Sequence, residues 1–274
     1  MSKASICDES LGALTDDQLT PEVRVWQRRK GHRFSSDDVA TASVAWHARP
    51  DAKRYLELGC GLGSVLLLLA WKCPSLVCAG IEAQASSFEL LRRNVLRSGY
   101  AERVSIRQGD LRDGAMLDAL GTGFDLVTGT PPYFPPGTAL DANDQQRTFA
   151  RMELRGGVEV YLEAAARVVH AEGTVVMCGD SRANPRVMAA AKMLGLVVVA
   201  RTEVIPKVGK PSLFSVWTLV CGQRSAPVEV ATLTLRERDG RPAEGARWLR
   251  EFSGFAPLAT LEKRQCPVSG PVDR

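Results

Sequence analysis

Three carboxylates follow short apolar runs in the first half of this 274-residue chain and could bind one ligand. Glu57 lies within "LELGCGLGS", Glu82 ends "CAGIE", and Asp110 follows "RVSIRQG". A carboxylate accepts hydrogen bonds from ribose hydroxyls or from an amine. If the three runs are parallel strands, the acids meet at the carboxyl edge of one sheet, where open α/β folds bind their ligands. The spacing therefore predicts a single binding crevice.

A glycine-rich turn follows the first of these acids. Glu57 precedes Gly59, Gly61 and Gly63 in the pattern Glu-x-Gly-x-Gly-x-Gly. Glycine suits a turn with positive φ and lets a ligand approach the backbone closely. A dinucleotide site would need a further glycine at position 64, where the chain has Ser64, and its pyrophosphate would be repelled by the nearby acid. The pattern favours a ligand with a cationic end, and a tight turn without a ligand remains the alternative.

The stretch "FDLVTGTPPYFPPG" places a rigid tetrapeptide, Thr130-Pro131-Pro132-Tyr133, at the end of another predicted strand. It therefore faces the same crevice. The two prolines fix φ and remove two backbone donors, which leaves the preceding carbonyl free to accept a hydrogen bond. The aromatic rings of Tyr133 and Phe134 could stack on a planar substrate such as a nucleobase. A proline-rich loop that only closes the strand is the alternative reading.

Two basic runs flank the predicted crevice. The first contains Arg24, Arg28, Arg29, Lys30 and Arg33, and the second contains Arg147, Arg151 and Arg155. Such clusters could contact phosphates around a flipped base, or they could be a solvated basic face. The net charge of +4 is too small to indicate a partner without this clustering.

The elements that must position these residues begin near Lys53, where short β-rich runs start to alternate with helical patterns. This alternation predicts an α/β fold, a Rossmann-like, seven-stranded, mostly parallel sheet with helices on both faces. We expect one domain over residues 21–256, with flexible segments at 1–20 and 257–274. Within the last part of the domain, an edge strand, a turn at Asp239-Gly240 and a short helix are expected.

Composition excludes several classes. A hydrophobic fraction of 45% with 24% charged residues is typical of a globular protein. The apolar runs are too short to span a membrane, and the polar, acidic start is unlike a secretory signal, so we expect a cytoplasmic protein. The seven cysteines lack the short spacing of a zinc knuckle, which favours free thiols and no metal site.

The glycine pattern resembles motif I of the class I S-adenosylmethionine-dependent methyltransferases. The tetrapeptide resembles the Asn/Asp-Pro-Pro-Tyr/Phe motif of those that methylate a planar nitrogen, with threonine at the first position. The resemblance implies S-adenosylmethionine as cofactor, with the methionine part held by Glu57 and the glycines, the ribose by Glu82 and the adenine by Asp110. It also implies that Thr130, the prolines and Tyr133 present the target amine.

The segment "GHRFSSDDVATASVAW" resembles the N-terminal segment of bacterial valine-tRNA adenine-N6 methyltransferases, in which a Thr-Asp pair precedes a helix over the cofactor. Ser36 and Asp37 match that pair, and the resemblance runs from about Trp26 to Cys221. It implies methylation of adenine N6 in tRNA or another structured RNA, without a metal. The residues expected to contact RNA are Phe134, Arg28, Arg29, Lys30, Arg33, Arg147 and Arg151. The alternatives are a methyltransferase for a protein amide or small metabolite, and a catalytically silent member that binds cofactor or RNA.

Overall fold

The computed structural model of the chain describes residues 5–8, 11–137, 144–224 and 226–256. The strands in these ranges are β1 (Ser5–Asp8), β2 (Gly12–Gln18), β3 (Arg24–Arg28), β4 (Arg54–Leu58), β5 (Val77–Glu82), β6 (Val104–Gln108), β7 (Phe124–Gly129), β8 (Val169–Asp180), β9 (Leu196–Ile205), β10 (Phe214–Cys221) and β11 (Glu229–Thr234). The helices are α1 (Ser36–Ala48), α2 (Ser64–Lys72), α3 (Ala85–Ser98), α4 (Gly114–Leu120), α5 (Gln145–Arg151), α6 (Val158–Val168), α7 (Asn184–Met193) and α8 (Glu244–Phe252), with a 3-10 turn at Ser181–Ala183. None of these helices is long and apolar enough to cross a membrane.

The main sheet has eight strands in the order β11-β9-β10-β8-β7-β4-β5-β6. The five strands from β8 to β6 run parallel, β10 runs antiparallel to both of its neighbours, and β11 pairs parallel with β9. The Rossmann-like α/β fold is thus confirmed, with one strand more than expected. The additional strand β11 belongs to the C-terminal segment for which an edge strand and a short helix were predicted, and α8 is that helix.

Helices cover both faces of the sheet because its central strands are apolar on both sides. On one face, buried residues of α1, α2, α3 and α8 form one core with the sheet. On the other face, α4, α6 and α7 form the second core. Helix α2, with the sequence SVLLLLAWK, is apolar nearly all round and is buried from Ser64 to Ala70. This double layer fixes the carboxyl ends of the parallel strands, where the acids lie.

The N-terminal residues form a separate antiparallel sheet, β1-β2-β3, that docks on α3. The Asn94 side chain accepts from the Trp26 backbone N–H at 2.7 Å and donates to the Trp26 carbonyl at 3.1 Å. Asp16 forms an ion pair with Arg97 at 2.9 Å. These contacts place the segment after β3 beside the carboxyl edge of the main sheet.

The expectation of a flexible segment through residue 20 is wrong for residues 12–18, which form β2. Although this stretch is polar overall, Leu14 within it and the adjacent Leu11 and Leu19 are buried, and Leu14 is only 2% exposed. The hydrophobic effect of burying them, together with pairing to both neighbouring strands, orders the segment. The C-terminal tail expected at residues 257–274 lies outside the described residues.

Candidate active site

Two adjoining cavities open at the carboxyl edge of the sheet. The inner cavity is bounded by the glycine loop after β4 and by the ends of β5 and β6. The outer cavity is bounded by the segment before α1, the tetrapeptide after β7 and helix α5. His32, Asp38, Thr130 and Ala150 line both cavities, and we call these four residues the partition. A ligand in each cavity would meet its neighbour at the partition.

The glycine loop meets the inner cavity at Gly59 and Gly61, which have φ of 67° and 56°. A Cβ on Gly59 would lie 2.3 Å from the Tyr161 hydroxyl oxygen, whereas a Cβ on Gly61 would meet no atom within 4 Å. Gly63 begins α2 with a φ of 94°, and a Cβ there would lie 2.6 Å from Leu91. Gly63 is therefore needed for helix packing rather than for the cavity wall, and the open space beside Gly61 is where a ligand could contact the backbone.

Two of the three predicted acids lie in the wall of the inner cavity. Glu82 accepts backbone N–H groups from Gly61 at 2.8 Å and Gln84 at 2.7 Å, and its burial raises the pKa of its carboxyl. Asp110 accepts from the Arg112 guanidinium at 2.7 Å, which lowers the pKa of its carboxyl. Both carboxylates keep lone pairs for a ligand. Across the described residues, no three His, Cys, Asp or Glu side chains are grouped to hold a metal ion.

The third predicted acid, Glu57, lies elsewhere. Glu57 is 1% exposed, and its carboxyl group accepts the backbone N–H of Leu66 at 2.9 Å, in the first turn of α2. In the part of the chain that the structure describes, Glu57 lines neither cavity. Its side chain points under the glycine loop, where its acceptor oxygen satisfies one of the free N–H groups at the start of α2. In place of the expected contact with a methionine moiety, the Glu57 carboxyl makes a hydrogen bond within the protein, to Leu66. Burial raises the pKa of Glu57 well above its ordinary value of 4.5.

We predict that Glu57→Gln raises the midpoint of thermal unfolding by roughly 5 °C at about pH 8 and much less at about pH 5. The pKa of Glu57 is higher in the folded protein than its ordinary value of 4.5, so the folded protein keeps a proton that the unfolded chain releases. The free energy of unfolding therefore falls as pH rises above about 4.5. Glutamine can still accept from Leu66 and has no such proton. Calorimetric unfolding at both pH values measures the difference, with the exposed Glu102→Gln as control. An equal gain at both pH values would contradict a buried, protonated Glu57.

The Ser36-Asp37 pair, expected at the cofactor, lines the outer cavity instead. The Asp37 carboxylate accepts from the Tyr133 hydroxyl at 3.1 Å. The next residue, Asp38, belongs to the partition and was not predicted as a site residue. The signal available in the sequence was the spacing Ser-x-x-Asp at the start of α1, which indicates a helix cap but does not show that the cap borders a cavity.

The tetrapeptide is brought to the partition by the end of β7. Thr130 lines both cavities, Pro131 and Tyr133 line the outer one, and Pro132 lines the inner one. The Tyr133 hydroxyl lies 3.0 Å from the Cys178 sulfur and is hydrogen-bonded to Asp37, so the ring is fixed from behind. Its burial raises the pKa of the phenol well above the ordinary value of 10.0. The loop therefore presents a rigid edge to a substrate.

Most of the predicted basic residues surround the mouth of the outer cavity. Those in its wall are Arg29, Lys30, Arg33, Arg147 and Arg151. Arg151 also covers the ring of Phe134, with 5.3 Å between the guanidinium carbon and the ring centroid. Arg28 does not line either cavity in the described part of the chain, because its guanidinium is paired with Asp144 at 2.8 Å. Arg33 is paired with Asp17 at 2.7 Å.

Two further residues lie at positions that the sequence did not predict: His32 was given no role, and Arg155 was expected only as part of the second basic run. His32 lies in the partition. Burial lowers the pKa of its imidazole, and the charges of Arg151 and Arg147 act in the same direction, while the charge of Asp37 opposes them. Arg155 lies in the wall of the inner cavity, with its guanidinium carbon 4.5 Å from the centroid of the Phe149 ring. Their positions depend on how the segments before α1 and after α5 fold over the sheet, which no short motif in the sequence indicates.

The chain is similar to bacterial proteins named tRNA1(Val) (adenine(37)-N6)-methyltransferase. It is 28% identical over 165 residues to one from Porphyromonas gingivalis, and the match covers 59% of this chain and 64% of that protein, just under two thirds of its length. It is 28% identical over 189 residues to one from Bacteroides thetaiotaomicron, covering 69% and 76% of the two chains. It is 26% identical over 197 residues to one from Yersinia pestis, and that match covers 72% of this chain and 77% of the relative. No protein-family model matches the chain.

Among solved structures, a predicted O-methyltransferase from Agrobacterium tumefaciens matches with a TM-score of 0.61. The match covers 81% of this chain and 99% of that one at 16% identity. Such a low identity supports a common fold and no more. The fold is the Rossmann-like α/β fold of class I methyltransferases.

Proposed function

We propose that this chain is an S-adenosylmethionine-dependent N-methyltransferase that acts on a planar nitrogen, with adenine N6 in tRNA or another structured RNA as its target. The observation that carries the proposal is the partition, where an acidic, glycine-lined cavity adjoins a cationic one. Methyl transfer requires two ligands held in separate sites with their reacting atoms in contact. The names of the bacterial relatives support this substrate class. A tRNA substrate implies that the protein acts in the cytoplasm.

The inner cavity suits S-adenosylmethionine. Glu82 and Asp110 have lone pairs to accept from ribose hydroxyls and from the adenine amine, respectively. A Cβ would occupy the open space beside Gly61, so the loop leaves room for a ligand against its backbone. When bound, the cofactor supplies a methyl group on a positively charged sulfonium, which the carboxyl groups of this wall would attract.

The outer cavity suits a flipped-out base. The two prolines hold the backbone after Thr130 rigid, so its hydroxyl and the Pro131 carbonyl can accept from a target amine. Tyr133, fixed by its hydroxyl, and the neighbouring Phe134 offer apolar surface to a planar ring. The cations at the mouth would contact phosphates on either side of that base.

The proposal predicts opposite effects for two substitutions. Asp110→Ala should weaken binding of S-adenosylhomocysteine, the demethylated product, by about 10- to 100-fold, since a hydrogen bond to a charged group is lost. Tyr133→Ala should leave that affinity unchanged and reduce methyl transfer to tRNA by at least about tenfold. Calorimetric titration and radiolabelled transfer to total tRNA measure the two effects.

The matched control is Asp118→Ala, which removes an exposed acid that also pairs with an arginine, Arg167 at 2.7 Å. It should change neither readout. The reverse pattern for Asp110 and Tyr133 would defeat the assignment.

The threonine at position 130 lacks the planar amide of the related motif, which favours one alternative function, a catalytically silent member of the fold. A wild type that binds the product but methylates no tRNA would indicate a silent member or a methyltransferase for a protein amide or small metabolite.

A further inference from the structure

A nitrogen that attacks a methyl group needs a nearby group that stabilises its developing positive charge and accepts a proton, and that group must lie at the partition. As the new N–C bond forms and the C–S bond breaks, the sulfur keeps the electron pair of the broken bond and the nitrogen becomes positively charged. The nitrogen then holds one proton more than the methylated product and must release it. A nearby anion stabilises the developing charge and can accept that proton. If the proposed function holds, this anion has to lie where the two cavities meet.

Among the four partition residues, only one carries a group that can be anionic near neutral pH. Ala150 is apolar, and the Thr130 hydroxyl is neutral. The His32 imidazole can be neutral or cationic, and its lowered pKa favours the neutral form. Asp38 supplies a carboxyl group. It has no assigned role in the proposed reaction so far.

The Asp38 carboxyl is held in a fixed orientation. One oxygen accepts the Ser35 backbone N–H at 2.8 Å, and the other accepts the Ser64 hydroxyl at 2.7 Å. These donors come from the start of α1 and from the start of α2, so two elements position the group. Each oxygen retains a lone pair, and the side chain remains open to both cavities.

We propose that the Asp38 carboxylate is the acceptor for the target nitrogen. It accepts a hydrogen bond from one N–H of the bound amine, stabilises the positive charge that develops on the nitrogen, and takes the released proton. The proton then passes to solvent through the outer cavity, which restores the carboxylate. In this arrangement Thr130 and the Pro131 carbonyl position the amine, and Asp38 supplies the charge that neither can provide.

The surroundings of Asp38 determine when it is ionised. The titratable groups that act on it are Asp37 on α1, Glu57 on β4, Tyr133 after β7 and Cys178 on β8. Burial, followed by the like charge of Asp37, raises the pKa of Asp38 to about 7. The carboxylate form therefore becomes dominant as pH rises through neutrality. We expect kcat for methyl transfer to rise with pH and to level off above about 7.

The first test uses Asp38→Asn, which keeps an oxygen for Ser35 and a polar group for Ser64 but cannot take a proton. At about pH 8 it should lower kcat by about a hundredfold and remove the rise through neutrality, while S-adenosylhomocysteine affinity stays within about threefold. The control is Asp51→Asn, whose side chain is 72% exposed. A wild-type kcat in Asp38→Asn, or a reduced kcat that keeps the same pH profile, would overturn the proposal.

A second test measures binding and needs no turnover and no variant. An anticodon stem-loop RNA is titrated into the wild type saturated with S-adenosylhomocysteine, with either adenine or purine, which lacks the exocyclic amine, at the target position. If ionised Asp38 accepts from the amine, adenine should be preferred by about tenfold at about pH 8 and by much less at about pH 6. A preference that does not change with pH, or none, would overturn the proposal.

Failure of the Asp38 role and failure of the proposed function give different experimental results. If the wild type methylates tRNA but Asp38→Asn keeps its kcat or its pH profile, or the wild-type preference for adenine does not change with pH, only the role of Asp38 is wrong. If the wild type binds S-adenosylhomocysteine, transfers no methyl group to tRNA and shows no preference for adenine, the proposed function is wrong and the role of Asp38 falls with it.

Discussion

Gly61→Val should weaken the binding of S-adenosylhomocysteine by about a hundredfold, equivalent to about 2.7 kcal/mol. A Cβ at this position meets no protein atom within 4 Å, because it would project into the open space of the inner cavity. The side chain would therefore occupy the space of the ligand and not disturb a packed neighbour. Calorimetric titration of the variant measures the loss, and thermal unfolding shows how much of it reflects instability.

Gly99 provides a matched control for this substitution. It ends α3 with a φ of 75°, close to the 56° of Gly61, and a Cβ there also meets nothing within 4 Å. Valine at either position suffers similar left-handed strain, on the order of 1–2 kcal/mol, but only Gly61 borders the cavity. Gly99→Val should lower the unfolding midpoint about as much and leave product affinity unchanged. Equal affinity losses in both variants would mean that strain, not ligand contact, explains the effect.

Neutralising the cations at the mouth of the outer cavity should weaken tRNA binding by about 10²- to 10³-fold at about 0.1 M salt. The variant changes four side chains of the outer cavity wall to glutamine, namely Arg29, Lys30, Arg147 and Arg151. Each phosphate contact releases counterions, so the slope of log affinity against log salt should become shallower by about three. Fluorescence titration across a salt series measures both quantities. The affinity for S-adenosylhomocysteine should not change, because none of these four residues lines the inner cavity in the described part of the chain.

The control changes four exposed cations on other parts of the surface, namely Arg92, Lys192, Arg224 and Arg238. It alters the net charge by the same amount, so it separates a local contact from the overall electrostatic attraction. A loss of the same size in both variants would indicate non-specific attraction. No loss in either would argue for a small or protein substrate, for which these cations are ordinary surface.

Much of the fold and the inner cavity could be predicted because strand ends follow a simple rule. Parallel strands bring their carboxyl ends to one edge, so Glu82 and Asp110 had to lie near each other once the strands were recognised. The position of Glu57 could not be predicted in the same way. Whether an acid at a strand end faces a ligand or the adjacent helix depends on its side-chain direction, which strand assignment alone does not give.

The outer cavity was harder to predict because it is built from irregular segments. The roles of Asp38 and His32 depend on how the chain between β3 and α1 folds over the partition. The same holds for Arg28, whose membership in a basic run suggested phosphate contact but whose guanidinium is occupied by Asp144. Charge density in a sequence shows that cations are close together, and the acids that neutralise them are often distant in the chain.

The N-terminal sheet also determines when the outer cavity can form during synthesis. Asp16 pairs with Arg97, 81 residues later, and Arg28 donates to Asp144, 116 residues later. Contacts of such long sequence separation form late, because closing a long loop costs entropy before the contact contributes stability. A ribosome must therefore complete α5 before the segment carrying Lys30 and His32 is held in its final place. We expect the segment that carries Lys30 and His32 to remain accessible to proteolysis until about 150 residues have emerged.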